Sequence, residues 1–276
     1  MDPTALKERL EDLYTRFNRR ELVHPDPLEF LYNYPEPMDR EIAGLIASSL
    51  AYGRVGQILK SVSIVLNKLG DLHKSLLKLS RSELFDMFDG FRHRFTGGQE
   101  IAALLFGVKK VIEDNGSLER YLMSFINPLD DTISPALSKF IRGICAASGV
   151  KSMYLLPDPA MGSACKRPFL FLRWMVRCDQ VDPGGWHGIQ PSMLLVPVDT
   201  HMFKIAKHLG FTIRNQADLK TAVEITNKFK KINPSDPARY DFVLTRFGIR
   251  PEMDRSILIS ELKKQRARTP KDHFDC

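Results

Sequence analysis

Cysteine is scarce in this chain and never paired along it. Only four of 276 residues are cysteine, at Cys145, Cys165, Cys178 and Cys276. None lies in a C-x-x-C pair or near a histidine at metal-ligand spacing. That argues against a disulfide framework and against a cysteine-held zinc or iron–sulfur site, so no metal and no cofactor is expected. Tryptophan is rarer still, with Trp174 and Trp186 alone. No apolar run approaches the ~20 residues that span a bilayer. The opening MDPTALKERLEDLYTRF is charged and amphipathic rather than a signal sequence. Internal repeats and low-complexity segments are absent. These absences lead to the expectation of a soluble protein of a reducing, cytoplasmic compartment with no membrane partner.

Acidic residues are in mild deficit, 33 against 40 Lys and Arg, for a formal net charge of +7. The excess is compatible with a polyanionic partner and does not require one. Hydrophobic residues make up 43%, enough for a real core. Their spacing is helical almost throughout. Residues 4–19 form an amphipathic stretch. Ile42, Leu45, Ile46 and Leu50 make a 3.6-residue stripe, Val55 to Leu69 a second, and Ile101 to Ile112 a third. Ser80 with Glu83 reads as a capping box, and Asn215 as the cap of the helix that follows. VLTRFG and MLLVPV are too short to assign, and no period-2 strand stands out. Residues 179–192, DQVDPGGWHGIQPS, read as a loop. The fold class expected is all-α. A break near 128–150 is the candidate boundary between two helical lobes.

Two ionisable residues stand at turn-to-helix junctions. Lys166 follows the turn Met161-Gly162-Ser163-Ala164 and heads the apolar helix KRPFLFLRWMVR. Asp199 follows Pro197-Val198 and heads THMFKIAKHLG. Taken singly, Asp199 is most simply a helix cap and Lys166 a solvated helix-end lysine. Taken together, a lysine nucleophile and a carboxylate could attack a sugar carbon and stabilise the charge that develops there.

GSACK running into an apolar helix, then VPVDTHMFKIAKHLG, resembles the core signature of the helix-hairpin-helix DNA glycosylase superfamily, the group containing endonuclease III. HRFTGG, GSLE, GSACKR and FLRWMVR, at 93–98, 116–119, 162–167 and 171–177, are similar to motifs of a bacterial branch catalogued as a domain of unknown function, DUF2400. The resemblance covers roughly residues 25–255. It implies a two-lobed helical bundle over 1–270, with the hairpin and catalytic segment at about 155–210 and a tail at 271–276. Three departures stand out. Ala164 replaces the hairpin's second glycine, the cluster cysteines of endonuclease III are missing, and 33 positions separate Lys166 from Asp199. That spacing is similar to an archaeal branch acting on oxidised guanine.

What the resemblance implies is a monomeric DNA repair enzyme with glycosylase and abasic-site lyase activity. Its partner would be duplex DNA bearing a damaged base, an oxidised purine such as 8-oxoguanine, or an abasic site. Lys166 matches the Schiff-base lysine and Asp199 the catalytic aspartate. Gly162, Ser163 and Ala164 would hold a phosphate through backbone N–H groups, with Arg167 and Arg173 nearby. Arg54 falls at a helix junction that such enzymes use to wedge DNA. His201 could orient Asp199 or simply cap the helix. Trp186 could stack on a displaced base or be structural, whereas Trp174, inside an apolar helix, reads as core. Arg92, His93 and Arg94 read either as phosphate contacts or as a solvated basic turn. The rival reading is a binding module without catalysis, in which Lys166 is a phosphate contact.

Overall fold

Helical periodicity becomes helix wherever the apolar stripes run. The computed structural model describes residues 3–250, 253 and 255–263. The basic stretch expected to fray after Thr269 and the tail 271–276 lie outside them. Among the described residues the α-helices are α1 (Pro3–Phe17), α2 (Pro37–Ser49), α3 (Val55–Leu69), α4 (Leu72–Lys78), α5 (Arg81–Met87), α6 (Gly98–Asn115) and α7 (Leu118–Met123). They continue as α8 (Ser134–Ser148), α9 (Lys166–Val176), α10 (Thr200–His208), α11 (Leu219–Ile232), α12 (Asp241–Ile249) and α13 (Arg255–Lys263). The protein is mostly helical. VLTRFG lies in α12, and MLLVPV is an irregular approach to α10. A two-residue antiparallel hairpin, β1 (Arg92–His93) with β2 (Thr96–Gly97), is too short to leave a period-2 signature.

The buried apolar side chains form one cluster drawn from Leu6 to Leu262. α9 runs through it with Phe169, Phe171, Leu172, Trp174 and Met175 all buried. A helix apolar on every side has to be central, which is what FLFLRWMV encodes. Burying each such side chain contributes roughly 1.5–3 kcal/mol. Gly44 lets α2 lie close, since a Cβ there would stand 3.3 Å from the Phe171 ring.

The expected break at 128–150 is not a break, because α8 runs through it and packs along α6. The two helices meet at Gly107, where a Cβ would fall 2.4 Å from the Ile144 carbonyl oxygen. A methyl group cannot push a backbone carbonyl aside without separating the helices. Gly107→Ala is therefore expected to destabilise the protein by about 1–3 kcal/mol, read as a lowered urea midpoint. α8 matters to the candidate site as well. Its Ser138 hydroxyl and Arg142 guanidinium donate to Asp158 at 2.5 and 2.6 Å. Asp158 caps the turn Pro159–Met161 that delivers the chain to Gly162.

Two local readings change. The element before Gly162 is a single 3-10 turn rather than an α-helix. The cap of α11 is Asp218, which accepts from Thr221 N at 2.8 Å. Asn215 is instead engaged by Lys207 Nζ at 2.7 Å. The Ser80–Glu83 capping box forms as expected.

Candidate active site

Lys166 opens α9 and Asp199 caps α10, and their side chains meet with Nζ 3.2 Å from Oδ2. Asp199 divides its oxygens between two tasks. Oδ1 accepts from the backbone N–H groups of His201 and Met202, both at 2.8 Å. Oδ2 is left to face the lysine. Cap and charge partner are thus the same residue. Burial pushes the Asp199 carboxyl up, but the Lys166 ammonium, the Met202 N–H and the His201 charge outweigh it. The net effect holds it below the ordinary aspartate value, ionised at neutral pH.

Both residues line a cleft of ≈ 660 Å³, within the usual range for a ligand site. Tyr52 and Gly53, from the α2–α3 junction, form another part of its lining, with Leu170, His201 and Gly248. A second cleft of ≈ 460 Å³ shares Ala51, Tyr52 and Lys166 with the first. Lys166 is one-third exposed, at 33%, so a substrate in either cleft reaches its amine. The His201 ring depends on Gly248, where a Cβ would meet its Nδ1 at 2.2 Å. Among the described residues no group of three His, Cys, Asp or Glu side chains converges as a metal site requires.

The remaining expected site residues divide. Gly162 is exposed and left-handed, with φ +84°, as a tight turn requires. Its N–H is already bonded to the Pro159 carbonyl at 2.9 Å, and its own carbonyl accepts from Leu219 N at 2.9 Å. Gly162 therefore offers no free amide to a phosphate. Ser163 is exposed and Ala164 half-buried beside it. Arg167 is committed within the protein, donating to the carbonyls of Ser49 at 3.0 Å and Tyr154 at 2.5 Å. Its guanidinium also lies over the rings of Tyr52 and Tyr154. Arg54 is exposed at the start of α3.

Two expected DNA contacts are structural instead. Arg173 is only 3% exposed and is clamped between Asp182 and Asp241. Trp186 is 2% exposed and packs edge-on against Phe171, so it cannot stack on a displaced base. Its Nε1 donates to Glu41 Oε2 at 3.0 Å. Glu41 also accepts from Leu118 N at 2.9 Å and Glu119 N at 3.3 Å. Glu119 in turn accepts from the N–H groups of His187 and Gly188 at 2.6 and 2.8 Å. The loop 179–192 is thereby fixed to α2 and α7. Trp174 is core, as expected.

Glu41 gives this anchorage a pH signature. Burial raises its carboxyl to about 7, against the pull of its three N–H donors. A carboxyl raised on folding binds its proton more tightly in the native state. Its contribution is fully present below the unfolded value of ~4.3 and is lost as pH rises through about 7. The shift corresponds to about 3 kcal/mol. Urea melts at steps from pH 4.5 to 8 are expected to show that slope in the wild type, and Glu41→Gln to flatten it.

The sequence profile of a family described as "Protein of unknown function (DUF2400)" matches residues 26–250. The chain belongs to that family. No curated protein and no solved structure matches it. The DUF2400 span contains both Lys166 and Asp199, and its motifs acquire physical roles in the structure. HRFTGG is the β-hairpin, with His93 buried between Ser61 Oγ and the Tyr52 carbonyl. GSLE supplies Ser117, which caps α7, and Glu119, which holds the loop. FLRWMVR supplies Arg173 and Arg177, which bind the carboxylates of Asp182 and Asp241 and of Asp179, Asp182 and Asp236 respectively.

Sequence reasoning missed Tyr52, which lines both clefts, and Asp241. Asp241 bonds Arg173 and feels the charges of Asp199 and Lys166. An arginine inside an apolar helix was the available signal for it, because a buried cation requires a carboxylate partner.

Proposed function

We propose that this DUF2400 chain is a DNA glycosylase with abasic-site lyase activity, of the helix-hairpin-helix kind, acting on duplex DNA. The observation that carries the reading is the Lys166–Asp199 pair, 3.2 Å apart in the wall of a ≈ 660 Å³ cleft. A pure binder gains nothing from a carboxylate beside its phosphate contact, whereas a nucleophilic lysine needs a base at this distance.

The target nucleotide must leave the stack before its sugar carbon can be reached. Only a neutral amine attacks, so Lys166 first passes a proton to Asp199 Oδ2. The Nζ–C1′ bond forms as the C1′–N bond to the base breaks, and the base departs with the proton that Asp199 returns. A second proton moves from Nζ to the ring oxygen as the C1′–O4′ bond opens, leaving a Schiff base. Loss of a C2′ proton then expels the 3′ phosphate by cleavage of the C3′–O bond. Asp199, held ionised, also stabilises positive charge on the sugar.

Borohydride reduction tests this directly. The protein is incubated with duplexes bearing an abasic site or 8-oxoguanine, and the expected result is a covalent adduct with each. An adduct with the abasic duplex alone would restrict the activity to lyase chemistry. DNA binding without any adduct would sink the enzyme reading in favour of the non-catalytic binder.

A further inference from the structure

The β1–β2 hairpin carries a feature that the Lys166 chemistry does not use. Phe95, at its tip, is 76% exposed. Single exposed apolar side chains are ordinary on protein surfaces, so the case rests on what surrounds this one.

The tip is rigidly held. Tyr52 Oη donates to the His93 carbonyl at 3.0 Å and lies 2.7 Å from Thr96 Oγ1. The His93 ring is buried, 2.9 Å from Ser61 Oγ and 3.1 Å from the Tyr52 carbonyl. Its neighbours are cations. The Arg94 guanidinium lies 5.4 Å from the Phe95 ring centroid. Arg54, Arg92 and Arg94 are all exposed, and among the described residues none has a carboxylate at ion-pair distance. The tip also adjoins the cleft. Arg94 lies over Gly53, where a Cβ would come within 2.7 Å of its Cδ, and Gly53 and Tyr52 line the cleft with Lys166 and Asp199. Arg94 itself is held left-handed at φ +54°, an uncommon conformation for a residue with a side chain.

A solvated basic turn would account for the arginines but not for a phenyl ring held out among them. An apolar ring on a fixed mount, ringed by unpaired cations, suits a base stack, where the ring replaces a stacking partner and the cations meet phosphates. We propose that Phe95 inserts into the base stack of bound duplex DNA, beside the nucleotide displaced toward Lys166, with Arg94 and Arg54 on the adjacent phosphates. This rests on the reading of the cleft as a nucleic-acid site. It moves the wedging role expected of Arg54 to a side chain with the apolar surface for it.

The test uses a duplex with a tetrahydrofuran abasic analogue and 2-aminopurine on the opposite strand. The analogue lacks the C1′ hydroxyl that Schiff-base formation requires, so the assay is blind to lyase chemistry. Saturating wild-type protein is expected to raise the fluorescence severalfold as the probe unstacks. Phe95→Ala at saturation is expected to leave it flat, and Phe95→Tyr to restore it. Arg94→Ala is expected to reduce the salt dependence of binding by about one phosphate contact. Because Phe95 is exposed, matching melting temperatures will exclude misfolding. Equal fluorescence with wild type and Phe95→Ala overturns the proposal, even if borohydride trapping succeeds. A Phe95-dependent rise without any trapping supports it and overturns the Lys166 reading alone. No duplex binding by the wild type overturns both.

Discussion

Lys166→Ala abolishes the borohydride adduct on abasic DNA and lowers base release by on the order of 10³-fold or more, the scale seen when a nucleophile is removed from a concerted site. The control is Lys166→Arg. It keeps a cation opposite Asp199 but offers no neutral amine, so it should bind DNA nearly as well as the wild type and form no adduct. Asp199 requires a different substitution because it does two things. Asp199→Ala loses the helix cap along with the charge and costs about 1 kcal/mol of stability. Asp199→Asn keeps an oxygen for the N–H groups of His201 and Met202, since Asn caps about as well as Asp. It should therefore melt like the wild type while losing roughly 10²–10⁴ in rate, the range for a positioned proton acceptor. The carboxyl is held below its ordinary value, so wild-type activity should persist until the pH falls beneath the usual aspartate range. Single-turnover base release on 8-oxoguanine duplex, measured across pH for the three variants, checks each of these outcomes. Equal loss of stability and activity in Asp199→Asn would mean that the residue is only a cap.

The pairing of Lys166 with Asp199 was legible because each residue stands where a turn becomes a helix, which fixes where its side chain starts. Their proximity was not a consequence of spacing, and it followed only from resemblance to a known signature. Helices were legible where apolar stripes repeat over three or more turns, as in α3 and α6. The β-hairpin was not, because two-residue strands leave no period to read. Trp186 was misjudged for a physical reason. Flanking glycines mark a loop, and loops usually lie at the surface. What buries this tryptophan is Glu41, 145 positions earlier. No local pattern encodes such a partner. Arg173 is the same case at greater energy, since its two carboxylates lie 9 and 68 positions further along the chain.

Arg173 accordingly yields the largest expected effect on stability. It is buried at 3% exposure and donates from Nε and Nη2 to Asp182 Oδ1 at 3.2 and 3.1 Å. Its Nη1 donates to Asp241 Oδ2. Arg177 extends the same network to the other Asp182 oxygen at 2.8 Å and to Asp179 and Asp236. Removing one partner of a buried ion network leaves uncompensated charge, and Arg173→Met is expected to cost about 3–5 kcal/mol despite its similar bulk. The deficit should depend on pH. Burial already raises Asp241 to about 6 in the native protein, with Arg173 opposing that rise. Without the guanidinium the native value climbs further, while the unfolded value stays near ~3.9. A carboxyl raised on folding stabilises most when protonated, so the variant gains stability relative to wild type as pH falls toward 5. Arg173→Met combined with Asp241→Asn should recover part of the loss at pH 8, because the amide carries no charge to strand. Since Asp241 also feels the charges of Lys166 and Asp199, the double variant should shift the pH profile of adduct formation as well. A wild-type profile in the double variant would make this network a foundation for the fold with no influence on the pair above it.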